Sequence, residues 1–245
     1  MIALWMTLAW AKTEPTRPDL DDPKVRLQTQ VEVLDALIDG GMPEQAMAMV
    51  TQMHEQGVHD PRVDVAQARA MDMVGMDAEA KRILDDVVRD HPRLGPAWAA
   101  LGLVRADAGD SAGAVAALTR ASRLMKQDAA VLNNLGFAKM AAGDARGAVA
   151  TLQKAVQLAP TDPIARNNLG FALARLERDD EALQLFLAAT GSEADARYNL
   201  GVACAQRGDR AGAMTNWQAA LAAQPGHALA QKALSTTISP PEAIP

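Results

Sequence analysis

Aromatic residues are scarce in this chain, with Phe, Trp and Tyr together making up 3% of its 245 residues. Aromatic and β-branched side chains are the usual material of pleated sheets, so an extended sheet core is poorly supplied. Cysteine is nearly absent. Cys204 stands alone, which excludes an intrachain disulfide and leaves the redox compartment open. The four histidines (His54, His59, His91, His227) are scattered without metal-ligand spacing. Basic residues form no stripe, the net charge is −6 and the pI about 5.2, which argues against a general nucleic-acid binder. What the chain does have is 49% hydrophobic residues, carried largely by alanine. Alanine is the strongest helix former, and its small side chain lets helices approach closely. The composition predicts an all-α protein.

The N-terminus differs from the rest. MIALWMTLAWA is apolar over eleven residues and ends in the A-x-A pattern Ala9-Trp10-Ala11; the polar, proline-rich KTEPTRPDLDDP follows. This is the pattern of a secretory signal's apolar core and cleavage site, without the basic leading region, followed by a flexible linker over 12–26. A start codon upstream of Met1 would account for the short leader. The expectation is an exported, periplasmic protein, with a frayed N-terminal helix of a cytoplasmic protein as the alternative. Eleven residues are too few to span a bilayer as a helix, so no direct transmembrane span is expected. No cysteine near residue 11 supports a lipid anchor.

The strongest pattern is internal repetition. NNLGFA occurs at Asn133–Ala138 and again at Asn167–Ala172, 34 residues later. Leu101-Gly102 lies 34 before the first copy's Leu135-Gly136, and Leu200-Gly201 lies 31 after Leu169-Gly170. A break follows each head: Gly109-Asp110, Gly143-Asp144 and Gly208-Asp209, with Glu177-Arg178 standing in their place once. Next come Ala114, Ala148, Ala182 and Ala213, and four residues on Leu118, Leu152, Phe186 and Trp217. Ala121, Ala155, Ala189 and Ala220 sit three further on, and Pro160 and Pro225 close their units. Each unit reads as a helix, a turn and a second helix, apolar at i, i+3, i+4 and i+7. Gly-Asp is a helix stop followed by an N-cap. A recurrent glycine inside the first helix lowers helix propensity, which points to close contact with a neighbouring helix.

These residues resemble the tetratricopeptide repeat, a 34-residue unit written W-x₂-L-G-x₂-Y, A-x₃-F, P. Trp98-x₂-Leu101-Gly102 carries its head, Ala182-x₃-Phe186 its middle and Pro225 its end. Six units follow in register: 27–60, 61–94, 95–128, 129–162, 163–193 and 194–227. The first two are degenerate, keeping Ala46-x₃-Val50 and Ala80-x₃-Leu84 but not Leu-Gly. The tyrosine position holds Arg105, Lys139, Leu173 and Cys204. The unit at 163–193 lost three residues near Thr190-Gly191-Ser192, so its second helix is expected to end early. The resemblance implies a right-handed α-solenoid, with residues 228–237 as a capping helix that covers the last apolar face. A disordered tail over 238–245, ending in SPPEAIP, would follow. A looser resemblance runs to bacterial pilus-assembly and secretion proteins of the same repeat, which combine asparagine-rich Asn-Leu heads with a shortened unit.

No catalytic constellation emerges. His54 and His59, five apart, do not share a helix face. GDARGA (143–148) follows no strand and reads as a helix–turn signal, not as a phosphate cradle. Seven of the twelve methionines lie between Met42 and Met76, at core helical spacing. Neither an enzyme nor a bound cofactor or metal is expected. The resemblance places ligand contacts on the first helices, at unit positions 2, 5, 6, 9, 12 and 13. Carried over, position 5 holds Asn133, Asn167 and Tyr198, and position 6 holds Asn134, Asn168 and Asn199. Position 9 holds Phe137, Phe171 and Val202, and Met140 stands at position 12. An amide offers both donor and acceptor, so a row of them suits the backbone of an extended peptide. In the N-terminal units Arg62, Arg69, Asp35, Asp39 and Asp72 make the groove charged and mixed. The expectation is an interaction scaffold for a protein partner, an extended peptide or a helix. A cytoplasmic chaperone for a secreted substrate, or a regulatory subunit of an enzyme, are the alternatives.

Overall fold

Aspartate starts most of the helices. In the computed structural model, which describes residues 21–238, the side chains of Asp22, Asp60, Asp110, Asp128, Asp144, Asp162 and Asp209 each accept a backbone N–H two or three residues on. Ser192 does the same. Each such cap satisfies a donor that the first helical turn leaves open, a stabilisation of about 1 kcal/mol. Thirteen helices result among the described residues: α1 (Pro23–Asp39), α2 (Pro43–Glu55), α3 (Pro61–Met73), α4 (Asp77–Asp90), α5 (Gly95–Asp107), α6 (Ser111–Leu124), α7 (Ala129–Ala141), α8 (Ala145–Leu158), α9 (Pro163–Ala174), α10 (Asp179–Thr190), α11 (Glu193–Gln206), α12 (Arg210–Ala223) and α13 (Ala228–Ile238). They form six helix–turn–helix pairs, α1–α2 through α11–α12, with α13 laid on α12. The proposed leader 1–11, the linker as far as residue 20 and the tail from 239 lie outside the described residues. Helix α1 begins inside the stretch read as linker, because Asp22 caps it and Pro23 suits the first helical turn.

Three of the six turns within pairs carry Gly-Asp; the α1–α2 and α3–α4 turns keep the left-handed glycine, Gly41 and Gly75, but are followed by Met42 and Met76, which offer no side-chain cap. Gly109, Gly143 and Gly208 take left-handed φ values of 77°, 84° and 88°, and the next residue is the capping aspartate. In the α9–α10 turn the glycine is missing as well, Glu177 takes φ 60°, and Arg178 offers α10 no side-chain cap. Helix α10 is 12 residues long against 14 for α8 and α12, and stops at Gly191 with φ 68°. The early end read from the sequence is present.

The Leu-Gly heads explain how each pair closes. A methyl group added at Gly102, Gly136, Gly170 or Gly201 would run into Leu118, Leu152, Phe186 or Trp217 respectively. The missing side chain of the first helix therefore makes the slot into which the large residue of the second helix fits. Phe186, Leu118 and Leu152 are essentially fully buried there. Ala114, Ala148, Ala182 and Ala213 flank them, also buried, so the backbones can come close.

Each first helix also touches the next first helix: α1 with α3, α3 with α5, α5 with α7, α7 with α9, and α9 with α11. The second helices sit on the outer layer. This arrangement leaves one continuous inner face made of first helices, the concave face of a solenoid.

Candidate partner-binding groove

Residues on an α-helix that are three and four apart share a face. On α9 that spacing puts Ile164, Asn168, Phe171 and Arg175 in one line; on α7 it aligns Asn134, Phe137 and Ala141, and on α11 Asn199, Val202 and Gln206. The three inner helices enclose a cavity of about 380 Å³ lined by Phe137, Met140, Ala141, Asn168, Phe171, Arg175 and Gln206. Phe137 is 53% exposed, unusual for so large an apolar side chain. Phe171 is half-buried, and its ring meets Phe186 edge-on with centroids 4.9 Å apart at 67°. It is thus rooted in the core, whereas Phe137 stands free at the pocket mouth.

The asparagines bond to one another. Asn168 Nδ2 donates to Asn133 Oδ1 at 2.9 Å, and Asn199 Nδ2 donates to Asn167 Oδ1 at 3.0 Å. Each step joins position 6 of one unit to position 5 of the unit before it, so the row is a staircase of amides that pins α7, α9 and α11 together. Asn133 is only 8% exposed, and its Nδ2 donates to Asn134 Oδ1 at 3.5 Å. This narrows the row expected from the sequence. Asn133 and Asn167 are engaged by their neighbours, while Asn168 lines the pocket with its carbonyl oxygen uncommitted. Asn134 lines a different cavity. Tyr198 and Val202 pack against the C-terminal core, the tyrosine ring 5.4 Å from that of His227. His227 Nδ1 accepts the Ala230 N–H at the start of α13, so its Nε2 is the donor to Asp195 at 2.9 Å.

Of the predicted residues, Phe137, Met140, Asn168 and Phe171 come together in one pocket. Arg175 and Gln206 belong with them although neither was singled out. Both occupy unit position 13, which the repeat resemblance already marks as a contact position.

The N-terminal half of the concave face is different in kind. A second cavity of about 420 Å³ has Val31, Val65, Leu103 and Val131 in its walls and Asp35, Arg62, Arg69, Asp128 and Asn134 among its polar groups. Its charges are largely paired. Arg69 bridges from α3 to Asp35 and Asp39 of α1, and Arg62 holds Asp60 and Gln28. The Arg62 hydrogen bond keeps the Asp60 carboxyl below the usual range. Asp72 lies beside a further cavity with Met73 and Leu103, and burial, followed by the charges of Asp107 and Asp77, pushes its carboxyl pKa up.

The positions where the repeat family carries tyrosine are filled by other means. Arg105 reaches Asp85 at 3.1 Å and Lys139 reaches Thr151 at 2.8 Å, each tying a first helix to a second. Leu173 and Cys204 are buried. Burial pushes the Cys204 thiol pKa up, as expected for a structural cysteine. Sequence spacing had separated His54 from His59, yet the loop after α2 stacks their rings 5.7 Å apart. Among the described residues no group of three His, Cys, Asp or Glu side chains is placed to hold a metal.

Paired helices, a glycine seam closed by a large residue, and a concave face of first helices define a helical-repeat solenoid. The fold is that of a tetratricopeptide-repeat solenoid. The model of the family described as tetratricopeptide repeat matches residues 139–203. Among solved structures, the chain is similar to YrrB, described as a TPR protein with an unusual peptide-binding site, at 26% identity and a TM-score of 0.59, over 76% of this chain and 97% of that one. It is similar in fold to pilF of Pseudomonas aeruginosa (16% identity, TM-score 0.64, 85% of this chain and 96% of that one). MamA from Desulfovibrio magneticus shares the fold too, at 21% identity and a TM-score of 0.56, over 67% of this chain and 93% of that one. No curated protein matches the sequence. Tetratricopeptide proteins are generally interaction scaffolds, so the fold implies a protein partner. No helix among the described residues is long and apolar enough to cross a membrane.

Proposed function

We propose that this chain is a non-enzymatic scaffold that binds a segment of a partner protein along the concave face of residues 129–206. One observation carries the reading: Phe137 stands 53% exposed at the mouth of a pocket shared with Phe171, Met140 and the free carbonyl of Asn168. A large exposed apolar side chain beside unpaired polar groups is costly in water unless something covers it. The YrrB description, a peptide-binding site on a structure of this fold, supports the same reading. The test is affinity capture with the wild type, Phe137→Glu and a control, Lys154→Glu, on the exposed outer helix α8. The wild type and the control are expected to retain a partner that Phe137→Glu loses. Equal capture by all three would sink the groove reading.

The scaffold is further proposed to act outside the cytoplasm, in envelope, pilus or secretion assembly. The apolar leader ending in Ala9-Trp10-Ala11 and the fold shared with pilF support this. Mass spectrometry of the mature N-terminus checks it, with cleavage after Ala11 the expected result and an intact Met1 the contrary one.

A further inference from the structure

The groove reading, on which this inference rests, leaves open what kind of segment is bound, and the pocket between α7, α9 and α11 supplies chemistry to choose. Its lining holds one charged residue, Arg175, and no carboxylate. The neighbouring arginines are engaged: Arg166 donates to the Ala188 carbonyl, Arg178 pairs with Glu181, and Arg207 is bound by Asp179 and Asp209. The guanidinium of Arg175 has no hydrogen-bond or ion-pair partner among the described residues. In a chain of net charge −6, an uncompensated cation beside exposed aromatic surface selects for the opposite charge on whatever binds there.

We propose that this pocket is a subsite for a partner segment in which a bulky apolar residue stands within two positions of an aspartate or glutamate. The apolar side chain enters between Phe137, Met140 and Phe171. The acidic side chain meets Arg175, whose planar fork can donate two parallel hydrogen bonds to a carboxylate. Asn168 Nδ2 is already given to Asn133, so its Oδ1 is left to accept a backbone N–H of the bound segment. The cavity, about 380 Å³, falls near the lower end of the roughly 300–1,000 Å³ usual for ligand pockets, a size for one side chain and its flanking backbone rather than for a whole helix.

A random peptide library selected on the immobilised full-length chain tests this. An enriched, fluorescein-labelled peptide is then titrated by anisotropy against wild type, Phe137→Ala, Arg175→Glu and Lys154→Glu. Circular dichroism confirms that each variant is folded. Enriched peptides are expected to pair a bulky apolar residue with Asp or Glu. Arg175→Glu is expected to weaken binding about tenfold or more, the scale of one charge-assisted hydrogen bond. Lys154→Glu should leave the affinity unchanged, and a peptide with its acidic residue changed to Lys should regain affinity for Arg175→Glu. Enrichment without acidic residues, or unchanged affinity in Arg175→Glu, overturns the inference. If Phe137→Ala still weakens binding in that event, the groove reading stands without it. If neither variant matters, or no peptide is enriched, both fall.

Discussion

Gly136→Ala puts the packing seam to a test in which two effects have opposite signs. In an exposed helix interior, replacing glycine by alanine stabilises by about 1 kcal/mol, because alanine is the better helix former. Here the new methyl group would overlap Leu152, reaching its Cγ and both Cδ atoms, and Leu152 is 0% exposed. The clash is with the branch point of the side chain, not with a flexible end, and Ala148 and Ala155 are buried on either side of it. Overpacking of a filled core costs about 1–3 kcal/mol, so the expected net effect is a loss of up to about 2 kcal/mol. Leu152→Ala alone should cost about 2–5 kcal/mol through the cavity it leaves. In the double variant the added methyl group enters that cavity, so the losses should fall short of additivity by about 1 kcal/mol or more. Urea unfolding followed by circular dichroism measures this. Hydrogen exchange on α7 and α8 shows whether the loss is local, as the nearest-neighbour energetics of a repeat array require. If Gly136→Ala raises stability by its helix-propensity gain and the cycle is additive, the seam argument is wrong.

Two further predictions concern titrating groups. The pKa of Asp72 is raised by burial and then by Asp107 and Asp77, so the folded chain holds that proton more tightly than the unfolded one. The contribution is fully present below the ordinary carboxylate pKa of about 3.9 and is lost as pH rises through the higher folded value. Asp72→Asn should therefore raise the melting temperature at neutral pH and leave it unchanged near pH 3; an equal shift at both would refute the assignment. Burial holds the Cys204 thiol pKa above its ordinary value, so at about pH 8 a disulfide reagent should label it far more slowly in the native chain than in urea. Equal rates would mean that α11 does not shield it.

The repeat was readable because its determinants act over short distances along the chain. A Gly-Asp stop, an aspartate cap and a 3.6-residue apolar stripe are set within one or two helical turns, and Gly109, Gly143 and Gly208 take the turn conformation their spacing implies. The Leu-Gly seam was legible too, since it recurs with the period and pairs residues 16 apart, Gly136 with Leu152 and Gly170 with Phe186. The groove residues were half legible. Their face follows from the contact positions that the repeat resemblance implies, and Phe137, Phe171 and Met140 do share one pocket. Their state does not follow, because it depends on the angle and distance between successive units. The asparagine staircase joins residues 32 and 35 apart, Asn167 with Asn199 and Asn133 with Asn168, and only the packed stack brings those amides within hydrogen-bond range. Tyr198 and Arg175 show the same divide. One lies beside His227 and the other is left without a counter-ion, and neither outcome is written in the spacing of their own helices. Repetition therefore specifies the helices and the seam, since each unit carries the same short-range instructions. The curvature of the stack decides which of the repeated side chains face one another and which remain for a partner.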